Sequence, residues 1–324
     1  MTLTDSTETQ LAAHLSQFVC SLEFSDLCIR SVNGTELPAH RCIVAVRCSE
    51  LFDTMSDGVI DTDIETDLLR HVLCYLYTDD APTMTAEEAP LLANVATDLM
   101  LARLERLTAR AVRQPMVIQE GLLAADIASL HEEHADVTIT LADGTSRKGH
   151  AIMLARIRAF RQLFSEERDV AVEDITAKQL DSLWHYAYHG NVVGASLRVL
   201  MQLIPWSRAT RDTALMNACV RELIRVHINV KTVCDILMSS MAFSLPTVVT
   251  HCKQFIKAHE EVRALPSFQQ LPEELQQELT PPTVPIKPPT PRDMRERRLK
   301  VNLRLLAPAV RAKKDTLRTG GRTQ

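Results

Sequence analysis

From Leu27 to Ala39 apolar and polar positions alternate, with Leu27-Cys28-Ile29 on one side of a turn at Asn33-Gly34-Thr35 and Glu36 to Pro38 on the other. The alternation returns as Val137-Thr138-Ile139-Thr140-Leu141, followed by a turn at Asp143-Gly144-Thr145. A period of two predicts half-buried strands, and Asn-Gly or Asp-Gly between them predicts a hairpin. Each hairpin lies between an Asp (Asp26, Asp136) and a His (His40, His150) fourteen residues further on. After each His the apolar period lengthens to that of a helix. The first such run carries Ile43, Val44, Val46, Leu51, Phe52 and Met55, with a break near Cys48-Ser49; the second carries Ile152, Met153, Leu154, Ile157, Phe160, Leu163 and Phe164.

The order then repeats again. A short apolar strand (Val59-Ile60; Val170-Ala171-Val172) precedes a helix carrying Leu68, Leu69, Val72, Leu73, Leu76 and Tyr77 in one case, and Leu180, Leu183, Trp184, Ala187 and Tyr188 in the other. The spacing between matched positions is 110 residues at Asp26/Asp136 and His40/His150, and 111 at Leu69/Leu180 and Tyr77/Tyr188. So constant an offset over so many positions identifies an internal duplication.

The remaining pattern fills in the domains. Residues 1–9 are polar and predict disorder; 10–115 form the first copy and 116–226 the second. Each copy opens with an amphipathic helix (Gln10–Phe18; Gly121–Leu130), and further helices are predicted over Ala86–Leu99, Leu101–Val112, Leu197–Trp206 and Arg208–Val226. Residues 227–280 read as a helical extension: a hairpin of Val230–Ser240 and Pro246–His259, then a weaker helix over Ser267–Leu279. From 281 to 324 the chain is rich in proline and then basic, which predicts an extended linker and a disordered tail. The expected fold class is α+β and mostly helical, with two small sheet-plus-helix modules.

Composition changes this picture in two places. The 324 residues are 46% apolar and 24% charged, an ordinary composition for a soluble globular chain. The net charge of −5 conceals an uneven distribution: residues 281–324 hold 12 Lys+Arg against 3 Asp+Glu, a net of +9, and the rest of the chain carries −14. The basic end suits an acidic partner, a nuclear-import receptor or nucleic acid, but it lacks the interleaved aromatics of a single-strand binder, so nucleic acid is not the expected partner. Eight cysteines without a two-residue-spaced pair, and no secretory or transit signal, predict reduced thiols in a cytoplasmic or nuclear protein. No apolar run is long enough for a membrane span.

Candidate chemistry is sparse. His185 and His189 are four apart on one helix, a metal-compatible spacing, but no third ligand converges on them, so they read as surface or partly buried histidines and no metal is expected. His131-Glu132-Glu133-His134 reads as a solvated turn, and His40 and His150 as structural groups at the hairpin-to-helix junction. Cys48 and Cys74 fall in apolar patterns and read as buried thiols. There is no phosphate-cradling glycine loop, no nucleophile elbow and no recurrent Cys/His pair. The sequence therefore predicts neither an enzyme nor a cofactor.

The ordered set Phe24-Ser25-Asp26-Leu27, the turn, HRCIVAVRCSELFDTM from His40 and VIDTDIETDLLRHVLCYLYTDD from Val59 resembles the BTB/POZ domain family. HADVTITLADGTSRKGH, ARIRAFRQLF and WHYAYHGNV in the second copy resemble it more loosely. INVKTVCDILMSSMAFSLPTVVTHCKQFIKAHEEV resembles the helical hairpin that opens a BACK-type (3-box) extension. The resemblance implies compact modules that pair with other copies, by self-association or within the chain, and that bind partner proteins. In family members that act as cullin-3 ubiquitin-ligase adaptors, an apolar-x-acidic motif ends the third helix. Phe164-Ser165-Glu166 fits it in the second copy, and Met55-Ser56-Asp57 is its counterpart in the first. The resemblance thus implies partner contacts at Phe164, Glu166 and Tyr188, and at Met55, Asp57 and Tyr77. Both copies have only a short segment between this motif and the next strand, where adaptors have a longer loop. The implied alternative role is a scaffold for oligomerisation or transcription whose basic tail reaches nuclear partners.

Overall fold

The computed structural model of the chain describes residues 3–80, 83–111, 122–130 and 132–280. Its first unit runs from Met1 to Phe255 and holds both copies of the duplicated module; a second unit begins at Ile256. The linker between the copies and the Pro-rich, basic segment 281–324 lie outside the described residues.

The first copy contains α1 (Leu3–Leu15), a 3-10 turn (Ser16–Phe18), β1 (Leu27–Arg30), β2 (Glu36–Ala39), α2 (Arg41–Arg47), α3 (Ser49–Phe52), β3 (Val59–Asp61), α4 (Thr66–Thr78), α5 (Glu88–Asp98) and α6 (Ala102–Ala111). The second repeats this order as α7 (Leu123–Ala128), β4 (Val137–Leu141), β5 (Ser146–Gly149), α8 (Ala151–Leu154), α9 (Arg158–Phe164), β6 (Asp169–Val172), α10 (Ala177–His189), α11 (Leu197–Ala209) and α12 (Thr213–Glu222), the last running into a π turn at Leu223–His227. A helical hairpin, α13 (Val233–Ala242) and α14 (Pro246–Ala258), follows. In the second unit come a 3-10 turn (Glu260–Ala264), α15 (Pro266–Gln269) and α16 (Glu273–Leu279). The fold is α+β and mostly helical, as the sequence predicts.

The two sheets have the same topology and register. β1 lies between an antiparallel β2 and a parallel β3; β4 lies likewise between β5 and β6. Leu27 faces Ala39 where Val137 faces Gly149, and Cys28 faces Val59 where Thr138 faces Asp169. Every one of these positions is displaced by 110, so the duplication extends to individual backbone pairs. Gly34 and Gly144 close the two hairpins with φ of +77° and +82°, a region closed to most side chains. Along β1 and β4 alternate residues are buried, and Ile29 and Ile139 lie fully inside. α4 buries Leu69, Leu73 and Leu76 in the core, and α10 buries Leu180, Leu183 and Ala187.

The structure corrects several boundaries. Residues 3–9, expected to be disordered, belong to α1. The buried Leu11 and Leu15 anchor this helix, and extending an existing helix backwards through polar residues avoids the cost of a new nucleus. The helix after His40 breaks at Cys48 as expected, with φ −154°. The helix after His150 also breaks, between Ala155 and Ile157, into α8 and α9. The predicted Ser267–Leu279 helix divides around Leu271-Pro272, since proline cannot continue α15 but can start α16.

Candidate functional site

At the start of the first helix after each hairpin, a histidine, a tyrosine and an aspartate close the module. His40 donates from Nε2 to the Glu23 carbonyl at 2.9 Å, which leaves Nδ1 to accept from the Tyr77 hydroxyl at 2.6 Å. The Tyr77 oxygen in turn accepts the His40 backbone N–H at 3.0 Å. In the second copy His150 is held by Glu133 at 3.0 Å and by Tyr188 at 2.7 Å. Asp26 accepts the backbone N–H of Arg41, and Asp136 that of Ala151, each at 2.8 Å, so each carboxylate ties its hairpin to the following helix. Burial lowers the pKa of both histidines and raises those of both tyrosines. Asp and His are therefore parts of the frame, as the sequence suggests.

The surfaces that can meet other molecules lie elsewhere. Tyr77 and Tyr188 are 0% and 7% exposed, so a partner at these positions meets the helices they hold rather than the rings. Phe164 is 3% exposed and packs with its ring tilted against Phe160, whose ring also meets Trp206 of α11. The neighbouring Leu163 is 38% exposed, and Glu166 is exposed. In the first copy Met55 is half-buried and Asp57 is exposed, in the left-handed region with φ +50°. Arg208 of α11 donates to the carbonyls of Phe243 and Ser244 in the turn of the α13–α14 hairpin. The end of α9, α11 and the hairpin are thus neighbours in one body.

The two copies also pair with each other. Arg161 of α9 reaches across to Glu23, Phe52 of α3 meets the His134 ring at 4.9 Å, and His14 of α1 donates to the Ile152 carbonyl at 2.8 Å. These contacts obey an approximate internal two-fold: Arg161 holds in the second copy the place that Phe52 holds in the first, and each reaches the segment before the other copy's first strand, at Glu23 and at His134. Such self-complementary contact is the mark of an isologous interface. His134 lies in an exposed turn, as the sequence predicts, and from there also touches the other copy.

A buried charge network fixes the same junction. Asp79, in the left-handed cap position of α4, accepts from Arg47 at 2.5 Å on Oδ1, while its Oδ2 takes the backbone N–H of Leu122 at 3.2 Å and lies 2.7 Å from Arg103 in an ion pair. Arg47 also pairs with Asp126 of α7 in the second copy. Both Arg47 and Asp79 are almost fully enclosed, so the pair is shielded from water and salt.

The remaining candidates carry little chemistry. His185 and His189 have ring centroids 4.4 Å apart, and His185 donates from Nδ1 to the Asn191 carbonyl at 3.0 Å. No group of three metal-capable side chains converges among the described residues. Burial raises the thiols of Cys219 and Cys252 to about 12, so neither supplies a thiolate at neutral pH. No helix among the described residues is long and apolar enough to cross a membrane.

Comparison with known proteins agrees with this geometry. The "Inhibitor of Bruton tyrosine kinase" of Homo sapiens is 26% identical over 129 residues, covering 36% of this chain and 10% of that protein. Its Mus musculus counterpart is 26% identical over 130 residues with the same coverage. The chain thus spans about a tenth of the length of these relatives. The model of the BTB/POZ domain matches residues 15–115 and again 128–225, one match for each sheet-and-helix module. Since these matches take in more than half of its length, the chain belongs to the BTB/POZ domain family, whose modules mediate protein–protein interaction.

Proposed function

We propose that this protein-interaction scaffold acts as a substrate adaptor of a cullin-3-type ubiquitin ligase, docking through its second BTB copy. The observation that carries the proposal is the continuity of the end of α9, α11 and the α13–α14 hairpin, which follows the second copy as a BACK-type extension would. On this surface Glu166 supplies the charged contact and Leu163 an exposed apolar one, while the buried Phe164 sets their positions from below. Neighbouring helices exclude water from such an anchor, which is where a few side chains carry most of the binding energy. In the first copy the equivalent helix end, α3, has Phe52 against the second copy, which leaves Met55 and Asp57 a smaller free surface. The test is a pull-down of the full chain with the cullin-3 N-terminal domain, comparing wild type with Glu166→Lys and Leu163→Asp. Binding that both substitutions weaken supports the proposal, and failure of the wild type to bind overturns it.

The charge asymmetry favours a second reading, a scaffold for oligomerisation or transcription whose basic segment 281–324 addresses nuclear partners. Nuclear residence abolished by deleting that segment, together with no cullin binding, selects this reading over the first.

A further inference from the structure

One surface cavity of the second copy is built around arginine. It has a volume of about 530 Å³, and Arg156, Arg158, Arg161 and Arg211 line it with Asp212 and with His14 and Gln17 from the first copy. It therefore lies at the junction of the two copies.

The two carboxylates nearby leave most of this charge unmatched. Both oxygens of Asp212 accept backbone N–H groups at 2.9 Å, from Leu215 and Arg158. Both oxygens of Glu23 accept from Arg161, at 2.8 and 2.7 Å. Among the described residues Arg156, Arg158 and Arg211 have no carboxylate partner. Arg158 and Arg211 are exposed at the rim. Arg156 is largely buried: its guanidinium lies over the Tyr186 ring at 5.5 Å, and its buried Nη1 donates to nothing. A buried donor on a charged group without a partner is costly. The guanidinium packs against Gly190, where a β-carbon would come within 2.6 Å of Nη2, whereas the matched cap residue of the first copy is Asp79, the carboxylate that holds Arg47.

The duplication supplies an internal control. Aligned as Met55 is on Phe164, Arg156, Arg158 and Arg161 correspond to Arg47, Ser49 and Phe52; displaced by 111, Arg211 corresponds to Met100. The last match is geometric as well, because Met100 and Arg211 both occupy the left-handed region, with φ of +53° and +58°. Arg156 thus repeats Arg47, each lying over a tyrosine of a later helix, whereas the other three places hold no arginine in the first copy. Folding alone does not call for arginine at those three.

We infer that this cavity binds a phosphorylated Ser or Thr side chain on a segment of a partner protein. Several guanidinium groups around one volume match a dianion with three acceptor oxygens better than a lone carboxylate. The exposed rim arginines leave room for the chain on either side of the phosphate. Binding also joins residues of both copies, so an occupied cavity strengthens their pairing by linkage. The inference is independent of cullin docking, which uses the other end of α9.

The test uses the full chain and a fluorescein-labelled pool of phosphoserine peptides with degenerate flanks, set against the unphosphorylated pool. Anisotropy should report binding of the phosphorylated pool only, competed by inorganic phosphate and weakened at least tenfold in R158E/R211E. Those substitutions are at the rim, and an unchanged thermal melt shows that the variant is folded; if it is not, R158Q/R211Q replaces it with the same expectation. Equal binding of the two pools, or no loss in the folded variant, overturns the inference. Binding of inorganic phosphate without the peptides removes the partner segment as the source. Equal, equally arginine-dependent binding of a DNA oligonucleotide assigns the cavity to polyanions generally and also overturns it.

Discussion

Arg161 and Glu23 face each other as a fork, two guanidinium nitrogens against two carboxylate oxygens at 2.8 and 2.7 Å, across the boundary between the copies. The pair lowers the pKa of Glu23, chiefly through these hydrogen bonds. Both side chains are more than a third exposed, so the expected coupling is modest, about 0.5–1 kcal/mol. A double-mutant cycle with Glu23→Gln and Arg161→Gln, read from urea unfolding, measures it. A coupling near zero would remove this pair from the account of how the copies are held.

Asp79 is expected to matter far more. Replacing it with Ala leaves Arg47 and Arg103 without their shared acceptor in a nearly dry site, a loss on the order of 3–5 kcal/mol. Chemical denaturation of Asp79→Ala against wild type decides this, and a loss below about 1 kcal/mol contradicts the enclosure of the network.

Gly149 and Trp184 form a compensating pair of sizes. A β-carbon on Gly149 would come within 2.4 Å of the Trp184 ring, whereas the matched positions in the first copy hold Ala39 and Leu73. Gly149→Ala should cost about 1–3 kcal/mol through overpacking. Adding Trp184→Leu restores the combination used by the first copy and should recover part of that loss. Thermal melts of the single and double variants provide the comparison, and strictly additive losses refute the pairing.

Acid should weaken the fold before it touches most carboxylates. Burial lowers the pKa of His14 from 6.5 to about 4, reinforced by Arg156 and Arg161, and burial also lowers those of His40 and His150. A histidine harder to protonate in the fold than in the unfolded chain contributes full stability above pH 6.5, and the contribution is lost as pH falls from 6.5 towards 4. His14 alone accounts for about 2–3 kcal/mol of that slope. Asp26 and Asp136, whose pKa values are raised mainly by burial, act in the opposite sense near the carboxylate range. Unfolding free energies between pH 7 and 4.5, for wild type and His14→Gln, should differ in slope, and parallel curves contradict the assignment.

Phe164→Ala should cost about 3–5 kcal/mol in stability, because its ring lies in the core beside Phe160. Glu166→Lys should leave stability within about 0.5 kcal/mol. Comparing the melts of both variants shows which one gives a clean reading of partner binding.

The hairpins, the duplication and the break at Cys48 were legible because each rests on local chemistry: alternation, an Asn-Gly or Asp-Gly turn, and a run of helical period. The break after Leu154 was not. Ala155-Arg156-Ile157 reads as uninterrupted helix, and the group that caps the new start is the Asp212 carboxylate, which accepts from Arg158 N across 54 residues. The pairing of the copies was open from sequence for the same reason. Arg161 meets Glu23 from 138 residues away, and a lone charge in a helix carries no address. The arginine cavity leaves a trace in the sequence only when the copies are aligned on each other, where arginine replaces serine, phenylalanine and methionine at positions 158, 161 and 211.

The approximate two-fold between the copies also has a consequence for dilution. Two separate chains that pair through such a face come apart as their concentration falls, and the fraction paired is set by abundance. Here the partner face is covalently attached, and its effective concentration stays fixed however few molecules a cell contains. The pair forms in one-to-one proportion by construction, its halves can diverge without losing each other, and neither half can be replaced by a competing subunit without first displacing its own sister.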